Sequence, residues 1–264
     1  MKLKIYQVDA FAEKVFTGNP AAVCPLPAWL SDDIMQSIAA ENNLAETAFY
    51  VKDGNTFHIR WFTPLVEVDL CGHATLAAAY VLFHHEGYAG ETINFHSHRS
   101  GALTITMNNE LISMDFPADS IQQVDLSQEI LDCFNHKPVE VFKGKTDFMV
   151  VFSNESQVKE IEVSYDRVEA LGGRGVIITA PGERSDFVSR FFAPQVGIKE
   201  DPVTGSAHTS LTSYWSKRLS KNSLSAIQLS ARGGFLKCEI SGDRIIISGK
   251  AALYMDGFIY LDEL

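Results

Sequence analysis

The sequence predicts an α+β protein built from two related halves, each a set of strands curled round one long helix. Three observations carry that expectation. First, Arg60-Trp61-Phe62-Thr63-Pro64-Leu65-Val66 aligns with Arg190-Phe191-Phe192-Ala193-Pro194-Gln195-Val196, keeping Arg, Phe, Pro and Val at a constant offset of 130. Beyond that the second copy carries three extra residues, so Gly72-His73-Ala74 falls on Gly205-Ser206-Ala207. A repeat of this period describes two halves of ordinary domain size. Pro117 and the polar residues after it place them at 1–117 and 118–264, with a terminal strand free to cross over. Second, the helical run from Ala74 to Phe83 is apolar on every side except at Thr75, so it must be covered all round. Third, strand patterns clearly outnumber helical ones.

Taken in order, residues 2–10 read as a first strand. Phe16-Thr17-Gly18-Asn19-Pro20 reads as a tight turn before a strand from Ala21 to Cys24. Ser31 can cap a helix whose first turn holds Asp32 and Asp33 at the positive end of the dipole, with Ile34, Met35, Ile38 and Ala39 as its buried stripe. Asn42-Asn43 ends it. Strand patterns follow at 47–52 and 56–63, then the apolar helix, with Gly87 as its C-cap. Strands at 91–98, 101–107 and 111–116 come next, the last two joined at the hairpin signal Asn108-Asn109. The second half reads as a helix around 127–135, strands near 138–143 and 146–152, a helix around 164–171, and strands at 175–180 and 186–192. After a helix opening at Ser206, strands lie near 225–231, 234–240, 244–248 and 252–261.

Hydrophobic residues at 46% and a mean hydropathy of zero supply material for two cores. The net charge of −11 excludes a nucleic-acid or anionic-membrane surface, which needs clustered Lys and Arg. A small anion held by backbone amides remains compatible with that charge. The start Met-Lys-Leu-Lys leads into an alternating pattern with no apolar leader, and no segment has eighteen uninterrupted apolar residues, which predicts a cytoplasmic, soluble protein. Cys24, Cys71, Cys133 and Cys238 lie far apart without a Cys-x-x-Cys pair, as expected of reduced thiols and not of a disulfide framework or zinc site.

Gly72 and Gly205 each precede a helix, whose first amides lack intrahelical partners and point outward with the positive end of the dipole. Two such ends facing one cleft would hold a carboxylate. Each glycine alone is equally explained by a tight turn, and the repeat of the device favours function. Asn19 is either a turn residue or, with its neighbouring amides, a ligand contact. The proton carriers near these loops are Glu46, His73, Asp201 and, more weakly, His208; general acid–base work needs a group that trades protons near pH 7. Glu46 opens a strand among Leu, Ala, Thr and Phe, splayed to solvent or partly buried, and only burial would raise its pKa. Asp201 before Pro202 also serves as a turn cap. Cys71 and His73, two apart at a turn, are not expected to meet, so Cys71 reads as a buried inert thiol. His84-His85 diverge on a helix, and His96 and His98 share a strand face without a third ligand, so no metal site is expected. Gly172-Gly173-Arg174-Gly175 precedes a strand instead of opening a helix, and reads as a turn.

Six ordered motifs resemble the PhzF-like family related to phenazine biosynthesis: Asp9-Ala10-Phe11, Gly18-Asn19-Pro20-Ala21-Ala22-Val23, Asn43-Leu44-Ala45-Glu46-Thr47-Ala48-Phe49, Arg60-Trp61-Phe62-Thr63-Pro64, Gly72-His73-Ala74-Thr75 and Glu200-Asp201-Pro202-Val203-Thr204-Gly205-Ser206-Ala207. The resemblance implies a diaminopimelate-epimerase-like fold with the active site in the cleft between two β/α halves, and a biosynthetic, cofactor-free isomerase that forms homodimers. Its proton-carrying glutamate matches Glu46. Its substrate-binding positions match Gly72, His73, Asp201, Gly205 and Ser206, and His73 and Asp201 would assist the chemistry. Related epimerases use two facing cysteines; the first position matches Cys71, but the segment of the second half carries none. The expected activity is proton transfer on a small carboxylate-bearing metabolite. The alternatives are a racemase or epimerase using Cys71 with a non-cysteine partner, and a small-acid binding protein without turnover.

Overall fold

The structure, a computed structural model, describes residues 1–262. The chain divides into two compact units, Met1–Asp115 with the described residues from Ser248 onward, and Phe116–Ile247. The terminal strand that leaves its own half is the C-terminal one, and the division expected after residue 117 falls after Asp115.

The first unit begins with β1 (Lys2–Ala10), β2 (Asn19–Leu26), α1 (Asp32–Asn42), β3 (Glu46–Asp53), β4 (Thr56–Phe62) and β5 (Glu67–Val68). Next come α2 (Gly72–His84), β6 (Thr92–Ser97), β7 (Gly101–Asn108) and β8 (Leu111–Pro117). The second unit holds β9 (Gln122–Val124), α3 (Gln128–Leu131), β10 (Glu140–Lys143), β11 (Asp147–Val151), α4 (Glu155–Glu160), α5 (Tyr165–Ala170), β12 (Gly175–Pro181) and β13 (Phe187–Ala193). A single 3₁₀ turn at Pro194–Val196 leads to β14 (Ile198–Asp201), α6 (Ala207–Leu219), β15 (Ser223–Gln228), β16 (Gly234–Ser241) and β17 (Arg244–Gly249), before β18 (Ala251–Tyr260) returns to the first unit.

Strand pairing shows the repeat more fully than the sequence does. In the first unit β1–β2 is antiparallel, β2–β3 parallel, β3–β4 antiparallel, β4–β6 parallel and β6–β7 antiparallel, with short β5 on β4. In the second, β10–β11, β11–β12, β12–β13, β13–β15 and β15–β16 follow the same alternation, with short β14 on β13. The neighbour that β9 gives β10 is supplied to β1 by β18. The chain therefore borrows its last strand to complete its first sheet.

The repeated Arg-x-Phe has a structural cause. Arg60 grips Glu67 through Nε and Nη2 at 2.7 and 2.9 Å, and Arg190 grips Glu200 at 2.7 and 3.0 Å. Each guanidinium also lies over the phenylalanine two residues on, 5.1 Å from Phe62 and 5.0 Å from Phe192. Glu67 and Glu200 are 133 apart, so the three extra residues enter between arginine and glutamate. These bidentate pairs tie each short strand to the sheet. Arg190→Met strands the Glu200 carboxylate in a half-buried place; the expected cost is about 2 kcal/mol, between that of surface and buried pairs. The midpoint of urea unfolding checks it.

The two central helices reach burial by different means. In α2, Ala77, Ala78 and Ala79 are wholly buried and the helix packs on β1, β2, β3 and β18; small side chains let the strands approach. In α6 the buried positions include Ser210, Thr212, Ser213 and Ser216. Thr212 and Ser213 donate back to the carbonyls of His208 and Thr209 at 2.5 and 2.8 Å, and so enter a core without orphaned hydroxyls.

Several expected elements shift. The helix expected around 127–135 is a single turn, α3, because Phe134 forms a β-bridge with Val163. Helix α4, capped by the Asn154 side chain, and β9 were not foreseen. Ser31 occupies the N-cap of α1 without a side-chain cap bond. Gly87, at φ +68°, lies beyond the C-cap of α2, which is His85.

Candidate active site

Strand β3 opens with Glu46, and α2 opens at Gly72 with Cys71 as its extended N-cap residue and His73 in its first turn. Asn19 is the first residue of β2, which runs parallel beside β3. These starts bring four side chains together inside the first unit. His73 Nε2 lies 3.1 Å from Glu46 Oε2, an ion-pair distance, yet no donor is aligned with that oxygen for a hydrogen bond. Cys71 Sγ is 3.5 Å from His73 Nδ1, and Asn19 Nδ2 is 3.2 Å from the same nitrogen. Side-chain exposure is 7% for His73 and 13% for Glu46, so the pair works in a largely dry setting. Among the described residues this is the one group of three or more His, Cys and acidic side chains close enough to share an ion.

Burial alone would raise the Glu46 pKa, but the charge of His73 and contacts with His73 and Cys71 outweigh it and hold the carboxyl below its usual value. This corrects the expectation of a carboxyl raised by desolvation: sequence shows apolar neighbours but not the imidazole that reverses their effect. Burial likewise opposes charge on His73, while Cys71 and Glu46 together raise its pKa well above 6.5. The resting site is thus a carboxylate–imidazolium pair. The Cys71 thiol is pushed up to about 11 by burial first and by the Glu46 charge second. A raised thiol stays protonated at neutral pH, and against expectation it does meet His73, because its N-cap geometry turns Sγ towards the imidazole.

The second unit carries the matching place with different chemistry. Thr47 pairs with Phe62 and Val176 pairs with Phe192, so Gly175 stands where Glu46 stands in the first unit. A side chain cannot be added there: a Cβ on Gly175 would come 2.6 Å from the Phe191 ring and 2.7 Å from the Phe192 carbonyl. By the 133-residue offset, Ser206 takes the place of His73, and Thr204 that of Cys71. Ser206 is the N-cap of α6, and Gly205 sits in the turn before it, its carbonyl accepting from the His208 amide at 3.0 Å. Neither Gly72 nor Gly205 has left-handed backbone, so turn strain does not demand glycine at either place. The Asp201 carboxylate accepts from the Thr204 hydroxyl at 2.5 Å and its carbonyl from Gln228 at 2.7 Å, which fixes the turn into α6. Arg174, read from sequence as part of a turn, donates to Ser206 Oγ at 2.9 Å and pairs with buried Asp147. Its flanking glycines obscured it.

His208 is removed from the proton carriers. It is fully buried, Nδ1 bonds the Thr204 carbonyl at 2.8 Å, and desolvation lowers its pKa to about 4, so it stays neutral.

The family model described as phenazine biosynthesis-like protein matches residues 8–257. The chain belongs to the phenazine biosynthesis-like family. An uncharacterized isomerase of Pseudomonas aeruginosa is 50% identical over 261 residues, covering 99% of this chain and all of that one. A solved PhzF-family protein from Enterococcus faecalis is 48% identical with a TM-score of 0.97, covering 99% of this chain and all of that one. A hydroxyproline epimerase from Agrobacterium vitis, at 10% identity and a TM-score of 0.63 over 99% of this chain and 93% of that one, shares the fold alone. The protein is thus a PhzF-like isomerase with an α+β, epimerase-like fold. Its helices carry no span long and apolar enough to cross a membrane among the described residues.

Within this isomerase the structure joins Asn19, Glu46 and His73 and adds Cys71. Asp201, Gly205 and Ser206 gather separately in the second unit, with Arg174 as their companion.

Proposed function

We propose that the protein is a cofactor-independent isomerase that moves a proton on a small carboxylate-bearing metabolite, with Glu46 as the base. The observation that carries this reading is the buried Glu46–His73 pair, present in one unit and replaced by Gly175 and Ser206 at the matching place in the other. A device needed only for stability would have reason to recur, as the Arg–Glu pairs do.

Glu46 reaches neutral pH already ionised, with Oε2 free of any aligned donor, and is ready to accept a proton from carbon. His73 holds the compensating charge. Once Glu46 takes the substrate proton, the carboxylic acid formed can return it at a neighbouring atom. The amides at the start of α2, beginning with Gly72, suit the substrate carboxylate. Gly205 and Ser206, at the start of α6, would offer polar groups to a ligand of the second unit, with Asp201 fixing their turn. With its amide turned so that Oδ1 accepts from the imidazolium Nδ1–H, Asn19 acts through His73 in a positioning role.

Incubation with pooled small carboxylic acids in D2O, read by mass spectrometry, tests the reading. At least one acid should take up deuterium with the wild-type protein and none with Glu46→Gln. Ligand binding without uptake in any pool would leave a small-acid binding protein. Cys71→Ala should change uptake by less than about tenfold, short of the ~10²-fold expected for removing an acid–base group. Complete loss of activity in a folded Cys71→Ala protein would favour a racemase that uses this thiol.

A further inference from the structure

A cavity of about 780 Å³ opens within the second unit among β9, α3, the end of β10, the start of β11 and α5. Its volume falls in the range of small-molecule sites, about 300–1,000 Å³. Val124, Phe148 and Leu171 line it half-buried, packed on the core cluster to which its fourth apolar wall, Ile130, belongs. Asp147 and Phe148 are successive residues of β11 and so point to opposite faces of the sheet. Asp147 holds Arg174 and through it Ser206, which puts the cavity on the other face from those contacts.

The charges at the cavity are unequally matched. The Asp132 carboxylate is taken by Arg167 and by Gln128, which donates to it at 2.6 Å. Asp125 and Glu129 are exposed at the rim, where solvent and salt screen them. Lys143 is half-buried beside its cross-strand partner Phe148, and its ammonium lies 3.6 Å from the centre of that ring. Among the described residues it has neither an ion pair nor a hydrogen bond. The ring face offsets part of its charge but leaves its three N–H donors unused. Gly173 gives it room: a Cβ there would come 3.1 Å from Lys143 Nζ, and φ of +78° favours glycine in any case. A cation on an apolar wall without an acceptor suits an anion that itself carries apolar surface.

We propose that this cavity binds a small amphipathic carboxylic acid, its carboxylate on Lys143 and its apolar body against Val124, Phe148 and Leu171. The stems of Lys143 and Arg167 extend the apolar wall. The binding is non-covalent and does not involve Glu46 or His73.

Octanoate, hexanoate, octan-1-ol and octylammonium are the probes, titrated into the intact protein by calorimetry. Octanoate should bind about 10-fold more tightly than hexanoate, the gain from burying two more methylenes. It should also bind at least about 10-fold more tightly than octan-1-ol, which has the same chain without the charge. Lys143→Met keeps an apolar stem and removes the ammonium, so it should weaken octanoate at least about 10-fold and leave octan-1-ol unchanged. Ala170→Trp, at an exposed position of α5, should fill the cavity and weaken both. Unchanged octanoate affinity in either variant overturns the site, as does failure of octanoate to bind the wild type at millimolar concentration. Octylammonium binding as tightly as octanoate would assign the cavity to its acidic rim and overturn the proposal as well.

Discussion

Glu46→Gln should retain ligand binding and lose on the order of 10²-fold or more in turnover. The amide keeps the shape of the carboxyl but cannot accept a proton from carbon, so the loss should appear in kcat with little change in KM. The substitution also removes the negative charge that helps raise His73. Left buried without Glu46, the imidazole should titrate lower than in the wild type, because desolvation opposes its charged form. Deuterium uptake and an NMR titration of His73 read the two consequences separately. Near wild-type uptake would remove Glu46 from the chemistry. A slow variant whose His73 titrates unchanged would mean that the ion pair does not set the protonation of the site.

The repeat was legible because its conserved-offset residues do visible work within each half: Arg60 with Glu67 and Phe62, Arg190 with Glu200 and Phe192. An internal match survives best where both copies need the same contact. The helix starts were legible for the same reason. What sequence left hidden lies where the halves diverge. Gly175 becomes the counterpart of Glu46 only once strand registers are known, and no spacing rule shows that a carboxylate and a glycine share a place. The meeting of Cys71 with His73 depends on an extended N-cap residue turning its side chain back over the first helical turn. The sign of the Glu46 shift depends on His73, 27 residues away in sequence and 3.1 Å away in the fold. Apolar neighbours indicated the opposite sign. The helix opening at Ser206 was legible from the repeat, but the burial of its hydroxyls was not, since their bonds to carbonyls one turn back are invisible in composition.

His73→Gln should invert the acid dependence of stability and cost on the order of 3 kcal/mol at pH 7, the price of leaving one member of a buried pair without its counter-charge. In the wild type the folded Glu46 pKa lies below 4.5, so its contribution is present above the unfolded value and is lost as pH falls through the folded one. The folded His73 pKa lies well above 6.5, so its contribution is complete below the unfolded value and is lost as pH rises through the folded one. The pair therefore stabilises most between about 4.5 and 6.5, and declines on either side. With glutamine at 73, burial acts on Glu46 without an opposing imidazolium and raises its folded pKa above 4.5. A raised carboxyl favours the folded state when protonated, so the variant should gain stability relative to the wild type as pH falls from about 6 towards 4, once the His73 contribution of the wild type is complete. Urea midpoints at pH 4, 5, 6 and 7 for both proteins give the difference directly. The acid limb of deuterium uptake should move upward with it, because the base must be ionised to act. A constant stability difference across that range, with an unmoved acid limb, would show that His73 does not hold Glu46 in its charged form.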